Sequence, residues 1–436
     1  MGQGACRLRG ACQMTMTRIA AAALLLTTTL GVSPALAQAT CTHTFGSVME
    51  LTGPAGRFGQ AASKSIELAL RDLNAAGTFA GCALAVDIRD SQSQGTVAVD
   101  QAKQLVDVRR VPALIGGIIS GVSIPIITSV TAPAGVVQIS PASSSPTLTQ
   151  LGRDNRTQGW FFRTITSDAL QGVAAAKYAL DSGIRRVAII HVNNDFGVNM
   201  VREFSRYYTA LGGTIISTTP YQPQQASYAP EVTRANRGNP DALYLVSYPG
   251  DGTTIARTWV QQGGVQRFLL NDGMNDASFI RDVGPQFLNG AIGTSSGTSP
   301  TASSTYFATE YNAFAGPTFN AQAPAADRAF DATMILGLAI AHAGKFEAAA
   351  IRDSIRKILD PQGTVIHAGP EGIKQALALI ADGKPIKYEG VIGPVQFDQF
   401  GDITGPFRKW AIRNGEITTA GQMSVEEVRE VQGRIR

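Results

Sequence analysis

From residue 42 onward the chain alternates between short apolar runs of strand length and longer segments with apolar residues at helical spacing. This alternation is its most restrictive feature. A first strand over Thr42–Met49 leads to a helix from about Gly59 to Asn74, with Ile66, Ala69, Leu70 and Leu73 on one face and Gly77 closing it. Strand Leu84–Ile88, helix Thr96–Val108, strand Ala113–Gly117, helix Ser123–Thr131 and strand Val136–Ile139 follow. A second series starts after Trp160–Arg163: helix Asp168–Leu180, strand Arg186–His191, helix Val198–Leu211 and strand Thr214–Thr218. It continues with a short helix near Tyr228–Arg237, strand Asp241–Ser247, helix Thr253–Gln262 and strand Phe268–Asn271. Helices are expected near Ala325–His342, Glu347–Leu359 and Glu371–Asp382, then a strand pair Val391–Phe397 and Phe407–Ile412 around a turn at Asp398–Asp402. Strands joined by helices imply parallel sheets covered on both faces, so the fold class is α/β with two units of similar size. Pro- and Ser-rich stretches at Ser140–Pro146, Gly297–Ser304 and Gly316–Pro324 punctuate them.

Composition removes several alternatives. With 44% hydrophobic and 16% charged residues in 436, the chain cannot be mainly disordered. A net charge of +4 without a Lys/Arg cluster is no nucleic-acid footprint.

The apolar run Ile19–Leu30 is too short to span a bilayer. With Arg18 before it and Ala35-Leu36-Ala37 after it, it has the layout of an export signal cut after Ala37, giving a signal peptide over 1–37 and a periplasmic location. Losing that segment, with Arg7, Arg9 and Arg18 and no acid, would bring the net charge from +4 to +1. Cys6 and Cys12 would go with it, leaving Cys41 and Cys82. Each directly precedes an expected strand; if those strands are parallel neighbours their starts can be bridged, the alternative being two independent buried thiols.

Catalytic patterns fail on context. Gly293–Gly297 matches a nucleophile elbow around Ser295, but Pro300 and a Ser/Thr run stand where the helix should start, as in a flexible crossover. Ser354-x-x-Lys357 lies on an amphipathic helix. His43, His191, His342 and His367 are scattered, so no metal is expected. Gly53-x-x-Gly56-x-x-Gly59 is not the dinucleotide fingerprint, no phosphate-loop lysine motif occurs, and no cofactor is expected.

Three stretches do fall where ligands bind in such folds, at the carboxyl ends of strands: Gly116–Ser120, Ser140–Pro146 and Leu270–Gly273. The first two offer hydroxyls and free backbone N–H groups that suit a carboxylate, and the third supplies Asp272. An anion cradle on one unit and an acid on the other would suit an α-amino acid, though the serines could equally be caps and loop residues.

These stretches also carry a family resemblance, together with Leu51–Gly59, Asn74–Gly77, Ile139–Pro141, Phe162–Thr164, Ser167-Asp168, Asp195–Gly197 and Ile392–Pro394. The chain resembles the periplasmic solute-binding proteins of branched-chain amino acid importers driven by ATP hydrolysis. The resemblance implies two Rossmann-like lobes joined by three hinge crossovers: 38–163 plus 298–390, and 164–297 plus 391–436. It implies a monomer that closes over a small-molecule ligand and delivers it to a membrane permease. By position, Ser120, Ala142 (through its backbone) and Ser144 would hold the carboxylate, with Ser143 in the same loop. Asp272 would receive the ammonium, with Tyr248 stacking nearby, and Phe58, Ile119 and Phe196 would line the side-chain pocket. Ser144 stands where the family often has Thr, Asp272 where branched-chain binders have Glu, and Phe58 and Phe196 where Tyr is usual. A periplasmic sensor of the same fold, or an exported hydrolase using Ser295, are the other readings.

Overall fold

The computed structural model describes Met1 and residues 41–435; the expected signal peptide, with Cys6 and Cys12, lies outside them. The first sheet comprises β1 (Thr42–Met49), β2 (Ala83–Asp90), β3 (Ala113–Gly116), β4 (Val137–Ser140) and β5 (Phe161–Arg163). All are parallel, in the order β2-β1-β3-β4-β5. The second is built on β6 (Arg186–Val192), β7 (Thr214–Tyr221), β8 (Ala242–Val246), β9 (Phe268–Leu270) and β10 (Ile292–Ser296). A small sheet of β11 (Thr364–Ile366), β12 (Ile386–Gly390) and β13 (Gly393–Pro394) follows. The chain then returns to the second sheet as β14 (Phe407–Arg413) and β15 (Glu416–Met423), giving the order β15-β14-β10-β9-β8-β6-β7.

The inner strands read as continuous apolar runs because both of their faces are covered: every residue of β3, β4 and β8 is buried. Helix Gly56–Ala76 lays Phe58, Ile66, Ala69, Leu70 and Leu73 on the first sheet's side, and helix Ala326–Ala343 packs across it. Gly337 permits that crossing, since a Cβ there would lie 2.7 Å from Leu73 Cδ1. The segment 302–381 thereby joins the first sheet although residues 164–301, which build most of the second, lie between them in sequence order, as the two-lobed α/β architecture requires.

Cys41 and Cys82 form a disulfide, because β1 and β2 are parallel neighbours in register Thr42 to Ala83. Two expectations need correction. Val391–Phe397 and Phe407–Ile412 do not pair: Gly393–Pro394 closes on β12, while β14 lies antiparallel between β10 and β15. Both stretches have strand composition, but the chain passes from one sheet to the other between them. The Ser/Thr run after Gly297 is no flexible crossover either: Thr301 and Ser304 form a capping box that starts helix Ala302–Phe314.

Candidate functional site

In each large sheet the strand order reverses once, between β1 and β3 and between β6 and β8, and a crevice opens at the carboxyl ends there. The segments leaving those four strands are Glu50–Gly59, Gly117–Ser120, Asn193–Gly197 and Ser247–Tyr248. They face one cavity of about 200 Å3, counted as space open to the centre of a water molecule.

The two first turns are built alike. Gly59 and Gly197 each lie against the carbonyl oxygen that ends the preceding strand; a Cβ would fall 2.1 Å from Glu50 O and 2.1 Å from Val192 O respectively. Only glycine permits this approach. The residues just before them, Phe58 and Phe196, are thereby brought to the cavity wall. Phe196 stacks on Tyr248 with ring centroids 5.6 Å apart, and Tyr248 Oη accepts from Asn194 Nδ2 at 3.3 Å.

The first-lobe wall is held by a buried polar network. Glu50, fully buried at the end of β1, accepts the Ile118 N–H at 2.9 Å and the Ile119 N–H at 3.2 Å. Burial pushes its carboxyl up to about 7, against the opposing pull of those amides. Ser140 Oγ accepts from the Ser143 amide at 3.0 Å, and Ser120 Oγ from the Ser145 amide at 3.1 Å. Those four amides are therefore committed within the scaffold rather than free, a correction to the sequence reading. Ser120, Ala142, Ser144 and Ile119 line the cavity. Ser143 does not: its hydroxyl points back to Ser123 Oγ at 2.7 Å and Ile118 O at 3.2 Å.

Across the cavity, Asp272 stands on a tight turn after β9 and accepts the Gly273 N–H at 2.9 Å. Asp168, the first residue of helix Asp168–Asp181, lies behind it and accepts from Ser144 Oγ at 2.9 Å. Burial raises both carboxyls above the ordinary range, and the charge of Asp272 pushes Asp168 further up while the Ser144 hydroxyl and the Arg163 guanidinium oppose it. A third wall comes from Asp327 and Arg328 at the start of helix Ala326–Ala343, Asn275, and Arg408 on β14.

Of the nine ligand residues read from sequence, the structure brings eight to this cavity and turns Ser143 away. Sequence reasoning missed Glu50, Asp168, Arg328 and Arg408. Glu50 and Asp168 carried a signal, an acid directly after a strand and another opening a helix. Arg408 carried none, being one cation in a strand. Ser295 lines the cavity from within β10, and the next helix starts only at Ala302, so the elbow geometry is absent and the hydrolase reading falls. Among the described residues no group of His, Cys, Asp and Glu could hold a metal ion.

Comparison with known proteins agrees with this architecture. The Leu/Ile/Val-binding protein BraC3 of Rhizobium johnstonii is 26% identical over 398 residues, covering 91% of this chain and 98% of the relative. The crystal structure of the leucine-binding protein LivK from Thermotoga maritima superposes with a TM-score of 0.74 at 22% identity, covering 88% of this chain and 99% of that one. LivJ from Streptococcus pneumoniae, solved in complex with isoleucine, gives 0.71 at 20% identity, covering 88% and 99%. The family model for periplasmic binding proteins matches residues 42–399, most of the chain. This protein belongs to the periplasmic binding protein family.

Proposed function

We propose that the protein is the extracytoplasmic solute-binding component of an importer, holding an α-amino acid between its two lobes and presenting it to a membrane permease. The carboxylate would sit against Ser120, the Ala142 backbone and Ser144, and the ammonium against Asp272, with Phe58, Ile119, Phe196 and Tyr248 around the side chain. One observation carries the reading: serine loops from one sheet and a buried carboxylate from the other face the same cavity. Neither wall alone offers both charges of a zwitterion. The hinge crossovers allow the lobes, 38–163 plus 298–390 and 164–297 plus 391–436, to close when a ligand bridges them. Export as a monomer after loss of residues 1–37 completes the proposal, and amino-terminal sequencing of the mature protein should then begin at Gln38.

Asp272→Ala removes the charge partner of the ammonium and should weaken amino-acid binding by roughly 2–4 kcal/mol in titration calorimetry. Unchanged affinity would remove Asp272 from the site.

A further inference from the structure

The third wall of the cavity bears an unbalanced cation. Arg328 is neutralised locally: its Nη1 donates to both oxygens of Asp327, at 2.8 and 2.7 Å, and its Nη2 donates to Ser296 O at 3.0 Å. Arg408 has no such partner. Its Nη2 donates to Asn275 Oδ1 at 3.0 Å, and among the described residues no carboxylate forms an ion pair with it. It is half-buried on β14, in register with Ser295 of β10, and both residues line the cavity. Burial pushes its guanidinium below the ordinary value, with the nearby Arg328 adding to that and Asp327 opposing it.

A half-buried cation with no ion-pair partner is only partly compensated, and a protein that keeps one facing a ligand cavity gains when the ligand supplies the anion. An aliphatic side chain would satisfy Phe58, Ile119 and Phe196 but leave Arg408 with only the neutral Asn275 amide as side-chain partner. We infer that the ligand carries a second acidic group, which pairs with Arg408 beside Asn275. The ligand is then an α-amino acid whose side chain ends in a carboxylate, such as glutamate or its longer homologue, in place of a branched aliphatic one. The inference rests on the amino-acid reading above and narrows it.

The test is titration calorimetry of the mature protein, stripped of ligand by unfolding and refolding, with L-glutamate and L-leucine as probes. The wild type should bind glutamate more tightly than leucine. Arg408→Gln should cost glutamate about 30-fold or more in affinity and remove its advantage over leucine, with Arg408→Lys in between. Leucine binding as tightly as glutamate to the wild type, or an Arg408→Gln protein that keeps the wild-type preference, overturns the inference while the amino-acid reading stands. Failure of both probes to bind wild-type protein overturns that reading and the inference with it. Thermal melting of the ligand-free proteins controls for folding: losing an unpaired cation should leave the melting temperature unchanged or higher. Should Arg408→Gln fail to fold, the order of glutamate affinities in wild type and Arg408→Lys decides, equal affinity and preference being the overturning result.

Discussion

Glu50 shows how one residue shapes the cleft without being part of its surface. Its carboxylate holds the amides of Ile118 and Ile119, which fixes the loop that presents Ile119 and Ser120 to the cavity. Burial has raised its pKa to about 7 from an ordinary carboxylate value near 4.5. The folded state therefore binds this proton more tightly than the unfolded chain does. The stability it contributes is fully present below about pH 4.5 and is lost as pH rises towards 7, at about 1.4 kcal/mol for each pH unit. Glu50→Gln keeps the shape and one acceptor but removes the titration. Its stability relative to wild type should rise between pH 4.5 and 7 and level off above, read from denaturant unfolding across that range. A difference that does not vary with pH would mean that Glu50 does not titrate in this window. At this scale Phe58 and Phe196 were legible only through the family resemblance, and the structure supplies the reason: each precedes a glycine packed against the strand-end carbonyl, which brings it to the crevice. Arg408 was not legible, because its meaning depends on which charges lie across space, and nothing local records them.

Helix Ala326–Ala343 is the element that ties the lobes together. Its first turns grip each of the segments that cross between the sheets. Arg328 O accepts from Thr164 Oγ1 at 2.9 Å after β5, and Arg328 Nη2 donates to Ser296 O at 3.0 Å at the end of β10. Asp331 accepts the amides of Val391 and Ile392, each at 2.9 Å, and the Tyr388 hydroxyl at 2.8 Å. Gly390 leaves the room for this clasp: a Cβ there would lie 2.4 Å from Asp331 Oδ2. Asp331→Ala leaves three buried donors without an acceptor and should lower stability by about 3 kcal/mol or more, with Asp331→Asn losing less, measured by urea unfolding. An alanine variant within 1 kcal/mol of wild type would show that these donors find other partners, about the value of one ordinary hydrogen bond. Elements of this kind mark the limit of reading a fold from periodicity. The long apolar helix was visible as a helix, and the inner parallel strands as strands. The partner of Phe407–Ile412 was not, because strand composition is the same whichever edge a strand joins, and here the neighbour is β10, more than a hundred residues earlier. Helix Ala302–Phe314 hid behind a Ser/Thr run whose role as a cap shows only once Thr301 and Ser304 bond reciprocally.

For the whole molecule, the proposed function requires the lobes to close on a ligand, and the contacts across the cleft mouth bear on that step. Polar contacts join the two sides across the cleft mouth. Arg57 Nε lies 3.4 Å from Asp276 Oδ2, the Gly250 amide donates to Pro54 O at 3.3 Å, and Asn199 Nδ2 donates to Ser145 Oγ and Thr147 Oγ1, each at 3.2 Å. Arg57 also lies over the Phe319 ring, 5.0 Å from its centroid, and donates to Thr318 O at 3.3 Å, so it pins the segment 318–325 over the cavity as well. Arg57 remains 34% exposed, so the ion pair is screened by solvent and its contribution is modest, about 1 kcal/mol at most. Closure without ligand is consequently a balance of small terms, easily tipped by one of them, while a ligand bridging both walls adds contacts that no surface pair can match. Arg57→Met keeps the apolar stem against Phe319 but removes the charge. It should raise the ligand-free radius of gyration in solution scattering and leave the ligand-bound value unchanged. The apparent dissociation constant should rise by no more than about 5-fold, since the affinity falls only by the loss in closed fraction. High salt should reproduce the effect in wild-type protein and add little in the variant. Equal ligand-free scattering for the two proteins at low salt would mean that Arg57 and Asp276 touch without holding the cleft, leaving closure to the hinge clasp and the ligand.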